Sequence, residues 1–71
     1  MEKPDLYVVA RFLDILYSNG NPIGKTRLQM LVGLNYPRFI EYLEWLLQHE
    51  LVNVFKDEDG VEKVCLSSKG Y

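Results

Sequence analysis

Seventy-one residues, 48% hydrophobic and 25% charged, fit one small globular domain and exclude a disordered tail. One cysteine excludes an internal disulfide and suits a reducing compartment, and no apolar run nears the ~20 residues of a membrane span, so a cytoplasmic chain is expected. The net charge of −2 argues against a strongly basic nucleic-acid binder, but Ile15 to Ile40 holds no Asp or Glu and carries a local +3 from Lys25, Arg27 and Arg38, leaving −5 elsewhere.

The first helix is expected over residues 5 to about 18, with Pro4 and Asp5 suited to its start; MEKPD carries no leader pattern. At 100° per residue, Leu6, Val8, Val9, Phe12, Leu13, Ile15 and Leu16 cover over half its circumference, and Tyr7, Arg11 and Asp14 form a narrow polar strip. So wide an arc makes the helix either the central strut of the core or part of a homodimer seam. A chain this short buries only ~60% of its unfolded surface, so a dimer would add stability.

Residues 18–22 are a loop of turn formers, with Gly20 suited to a positive-φ stop. Gly20 to Thr26 imitates a phosphate-binding loop, but it has three residues between its glycines where the motif needs four, and no strand precedes it. Ile23 adds at most one strand residue. The second helix then starts near Gly24 to Thr26, carries Leu28 and Leu31 on one face and breaks at Gly33-Leu34.

Asn35 is placed to cap a third, longer helix. Its core arc is Phe39, Leu43, Leu46 and Leu47, with Tyr36 and Ile40 at the margin and Pro37, Arg38, Glu41, Glu44 and Gln48 facing away. Short helix, tight turn, long helix is the layout of a helix-turn-helix. The period then changes to two: residues 51–56 and 61–66 read as strands, and Asp57-Glu58-Asp59-Gly60 between them reads as a hairpin turn.

Phe39-Ile-Glu-Tyr-Leu43-Glu-Trp-Leu46 followed by Glu50-Leu51-Val52 resembles the recognition-helix end of prokaryotic winged-helix regulators, where a Leu-x-x-Leu pair leads through Gly-Leu-Ile/Val into the wing. Val64-Cys65-Leu66-Ser67-Ser68-Lys69-Gly70-Tyr71 resembles that family's closing strand, Leu-Ser/Thr-x-x-Gly. The chain is thus similar to winged helix-turn-helix domains, above all to small archaeal DNA-binding regulators. The resemblance implies an α+β fold of three helices and a two-stranded β-hairpin wing, spanning residues 1–71 as one domain. It also implies a double-stranded DNA partner, a transcriptional role and a homodimer. Such proteins commonly dimerise through a helix beyond the closing glycine; with Tyr71 as the last residue, the first helix becomes the expected dimer surface. Three departures stand out. Glu50 replaces the usual glycine, Ile40 and Glu41 stand where relatives are often basic, and the wing carries Asp57, Glu58, Asp59 and Glu62 against Lys56 and Lys63.

With residues 35–49 in a major groove, Arg38 is placed for guanine O6 and N7, and Glu41 for cytosine N4. Asn35, Tyr36 and Pro37 would sit at the helix start, where phosphates are favoured. Lys25, Thr26 and Arg27 are placed to grip a flanking phosphate, and Lys56 and Lys63, as cross-strand neighbours, one phosphate each. The bland alternatives are that Arg38 pairs with Glu41 or Tyr42 on a solvated face and that the lysines serve solubility. The expected interface residues are Val8 and Phe12 on the first helix and Tyr42 and Trp45 on the third. Trp45 is either covered by the hairpin or anchors another protein, and His49 sits at the negative end of its helix. No cofactor, metal set or catalytic constellation is expected, and Cys65 reads as a buried inert thiol. The alternative function is a protein-interaction winged helix without strong DNA affinity.

Overall fold

Phe12 is the residue around which the fold closes. In the computed structural model, which describes residues 3–19 and 22–67, its ring is fully buried and stacks on Phe39 at 5.6 Å and on Tyr42 at 6.0 Å. Such burial contributes ~1.5–3 kcal/mol per side chain, a large share of a small domain's stability. Three helices and three short strands surround it: α1 (Leu6–Ser18), β1 (Ile23–Gly24), α2 (Lys25–Val32), α3 (Tyr36–Gln48), β2 (Val52–Lys56) and β3 (Glu62–Leu66). This is the expected winged helix, with one addition. The two residues of β1 pair antiparallel with β3, so the wing is the larger part of a three-stranded sheet ordered β1-β3-β2.

Each helix is ended by local chemistry. Asp5 caps α1, its Oδ1 accepting from the Tyr7 amide at 2.9 Å. The buried arc of α1 is narrower than its apolar arc: Val9, Phe12, Ile15 and Leu16 face the core while Leu6 lies exposed. Gly20, expected to stop this helix, lies outside the described residues, as do residues 68–71 of the closing pattern. Gly33 ends α2 at φ 80°, a conformation that glycine adopts without steric cost, and Asn35 Oδ1 accepts from the Arg38 amide at 3.1 Å to open α3.

Glu50 sits at φ 58°, the one non-glycine positive φ among the described residues, where the resemblance expects glycine. Its amide donates to the Leu47 carbonyl and that of Leu51 to the Leu46 carbonyl, both at 3.0 Å, which is the Schellman closure of a helix. The closure survives the substitution at the cost of a strained residue.

Along the sheet, Val52, Val54, Val64, Leu66 and Ile23 share the core-facing side, and Asn53, Phe55, Lys63 and Cys65 face outward. Cys65 is therefore a partly buried free thiol, not a fully buried one. Asp57 builds the wing tip by accepting through Oδ1 from the amides of Asp59 (2.9 Å) and Val61 (3.0 Å).

Candidate nucleic-acid interface

The starts of α2 and α3 and the wing tip converge on one side of the domain. Gly24, Lys25, Thr26, Gln29, Tyr36, Gly60, Val61 and Glu62 line an open cleft of about 390 Å³ between them. The convergence follows from sequence order: the three-residue turn 33–35 holds the two helix starts near each other, and the pairing of β1 with β3 brings the wing to the head of α2.

The two helix starts differ in what they offer an anion. At α3, Pro37 has no amide hydrogen and Asn35 already takes the Arg38 amide, so little donor capacity is left. At α2, Gly24 is the N-cap and brings no side chain to the first amides. The open donors therefore sit beside Lys25, Thr26 and Arg27, and fewer remain at Asn35 and Tyr36.

Cations on this side are mostly tied to acids. Lys25 Nζ lies 3.2 Å from Glu62 Oε2 and 5.7 Å from the Tyr36 ring centre. Burial pulls the Lys25 ammonium down, but the hydrogen bond and charge of Glu62, aided by Tyr36, outweigh it and hold the pKa above the usual 10.5. Arg38 makes both of its solvated-face contacts at once, with Glu41 at 3.5 Å and over the Tyr42 ring at 5.5 Å. Lys63 is 3.9 Å from Asp57. Thr26, Arg27 and Lys56 have no ion pair or side-chain hydrogen bond among the described residues. The Arg38–Glu41 pair is exposed and the pairs at Lys25 and Lys63 are partly buried; an exposed pair is worth ~0–1 kcal/mol, weak enough for a phosphate to compete with.

Four expectations need correction. Lys56 and Lys63 are not cross-strand neighbours: Lys56 faces Glu62 and Lys63 faces Phe55, so the two lysines lie on opposite faces of the wing. Phe12 and Tyr42, expected at an interface, are core residues. The Tyr42 hydroxyl even accepts from the Asp5 amide at 3.0 Å, tying α3 to the head of α1. Val8 is only partly buried against that core, and Leu47, expected inside, is 38% exposed. Trp45 is half-covered and stacks on His49, whose Nδ1 donates to the Trp45 carbonyl at 2.9 Å and so holds the end of α3. Around α3, the side opposite the core carries Pro37, Glu41, Glu44 and Gln48, with Arg38 on the flank.

No protein-family model matches the chain, and no curated protein matches it. Among solved structures, it is similar to Sso10a-2, a DNA-binding protein from Sulfolobus solfataricus, with 24% sequence identity and a TM-score of 0.71. The likeness covers 96% of this chain and 67% of that one and establishes a shared winged-helix fold.

Proposed function

We propose that this domain is a cytoplasmic, non-enzymatic double-stranded DNA-binding protein, a small transcriptional regulator of archaeal type that acts as a homodimer. The observation that carries the reading is the convergence of an uncapped, cation-bearing start of α2 with the exposed first turn of α3, on a fold shared with a DNA-binding protein. Lys25, Thr26 and Arg27 grip backbone phosphate through side chains and amides, and that grip sets the register of α3. Arg38 leaves Glu41 to read a guanine, while Tyr36 and Pro37 pack against the groove wall. Lys56 and Lys63, on opposite wing faces, reach at most one phosphate each. Two copies with their α3 helices one DNA turn apart, ~34 Å, read a short palindrome.

A second reading is favoured by the acids that cap the cations and by the Pro37, Glu41, Glu44, Gln48 face: an adaptor that binds a basic protein surface beside Trp45. Duplexes selected from a random pool separate the two. On a selected site, Arg38→Ala should cost ~1–3 kcal/mol and relax one base position, with Trp45→Ala neutral. Failure to enrich any duplex would favour the adaptor.

A further inference from the structure

Strand β2 pairs with β3 on one side only, so its other side is an edge of the sheet. The Asp57 amide donates to the Val61 carbonyl and the Ser67 amide to the Leu51 carbonyl, both at 3.0 Å. These bonds turn residues 51 and 57 toward β3, and the antiparallel alternation turns 53 and 55 the same way. The amides and carbonyls of Val54 and Lys56 therefore point away from β3, to the edge. Val52 points there too but is 1% exposed, so the open edge begins at Asn53. Along it, the outer face of the sheet carries exposed Asn53, then Phe55 at 43% exposure, then Asp57. Among the described residues, the side chains of Asn53, Phe55 and Lys56 have no hydrogen bond, ion pair or ring contact.

We infer that this edge pairs with the β2 of a second copy, antiparallel about a two-fold axis at Phe55, joining two sheets into one. The inference rests on the homodimer part of the reading above and places its surface on the wing, not on the first helix. An unpaired edge is a template for another strand, and the open stretch fixes the register. An axis at Asn53 or Val54 would bring the second copy against buried Val52. An axis at Lys56 would set two lysines directly opposite each other. With the axis at Phe55, Val54 and Lys56 of the second copy exchange main-chain hydrogen bonds, and the pair recurs on the other side of the axis. Phe55 then faces Phe55 in a non-hydrogen-bonded pair, where side chains come closest. Asn53 faces Asp57 of the second copy. Oδ1 of Asp57 is taken by the amides of Asp59 and Val61, which leaves Oδ2, 3.9 Å from Lys63, to accept from the Asn53 side-chain amide. Residues 53–57 span only ~17 Å at ~3.4 Å per residue, well short of the ~800 Å² per side of a standard interface. The dimer is therefore reversible.

The test uses no nucleic acid, so its failure is distinct from a failure of the DNA reading. Sedimentation equilibrium from micromolar to millimolar chain should show a reversible dimer. Hydrogen exchange at the Val54 and Lys56 amides should slow as the concentration rises. Phe55→Glu should raise the dimer dissociation constant roughly tenfold or more by setting two carboxylates face to face at the axis. In a Cys65→Ser background, Phe55→Cys should oxidise readily to a disulfide-linked dimer, because the Cα atoms of a non-hydrogen-bonded pair lie ~4.5 Å apart. Asn53→Cys, whose two copies would lie ~14 Å apart, should not. A wild type monomeric at millimolar concentration, or exchange at Val54 and Lys56 that ignores concentration, would overturn the proposal. So would a dimer indifferent to Phe55→Glu, or Asn53→Cys chains that link as readily as Phe55→Cys chains.

Discussion

Replacing Glu62 by glutamine should strengthen DNA binding, although the position reaches no base. Glu62 holds the Lys25 ammonium at 3.2 Å, at the open end of α2. A phosphate taken up there comes within ~6 Å of the Glu62 carboxylate, and two like charges at that distance repel by about 0.7 kcal/mol in a water-like dielectric. Glu62→Gln removes that repulsion and keeps the side-chain volume, so affinity for generic duplex should rise roughly threefold at low salt. The log–log salt slope should change by less than the ~0.9 of a whole contact, because Lys25 neutralises the same phosphate in both chains. The lost ion pair costs at most ~1 kcal/mol of stability, so the variant stays folded. The assay is fluorescence anisotropy of a labelled duplex with both chains across a salt series. A double-mutant cycle with Lys25→Gln completes it, and the gain should largely vanish in that background. Unchanged or weaker binding by Glu62→Gln would refute the reasoning, because the phosphate would then not sit beside Lys25.

Three further outcomes concern the fold. Glu50→Gly should stabilise the domain by ~0.5–1 kcal/mol, since relief of an αL penalty of ~1–2 kcal/mol exceeds the added chain entropy of glycine; thermal melting should rise by a few degrees. Tyr42→Phe removes the hydroxyl that accepts from the Asp5 amide and should destabilise by ~0.5–1.5 kcal/mol in urea unfolding, while a wild-type midpoint would show that the tie between α1 and α3 carries no weight. Lys25 is held above its usual 10.5 in the folded chain, so its pairing contributes fully below that pH and is lost as pH rises through the folded value. The stability difference between wild type and Glu62→Gln should therefore stay constant from neutral pH to about 10 and close above 10.5; a difference that closes near neutrality would contradict the pairing.

The winged helix was legible because its signals are local and repeated: Asp5 and Asn35 as caps, the αL glycine at 33, the shift from period 3.6 to period 2 after α3. What escaped were properties set by distance in the chain. Tyr42 reads as a surface partner of Trp45 on a helical wheel, yet it lies inside because Phe12, thirty positions earlier, offers a ring to stack on and Asp5 an amide to bond. The wing register slipped by one because Asp57 bonds forward to Val61 and draws that residue into the turn; one residue of slip moves every side chain to the other face, and with it the presumed pairing of Lys56 and Lys63. At the candidate interface, the residue types were readable but their partners were not. Glu62 is 37 positions from Lys25, and no sequence spacing announces that an acidic wing will cap the cation at the head of α2.

Binding of the wild type to generic duplex DNA across ~50 to ~200 mM salt decides whether the domain engages the phosphate backbone. With Lys25, Arg27 and Arg38 each neutralising one phosphate, binding should be in the micromolar range with a log–log slope of about −2.7, about a fortyfold loss over that range. Anisotropy that stays flat at every salt would contradict it, and the acidic face of α3 beside Trp45 would then be the functional surface.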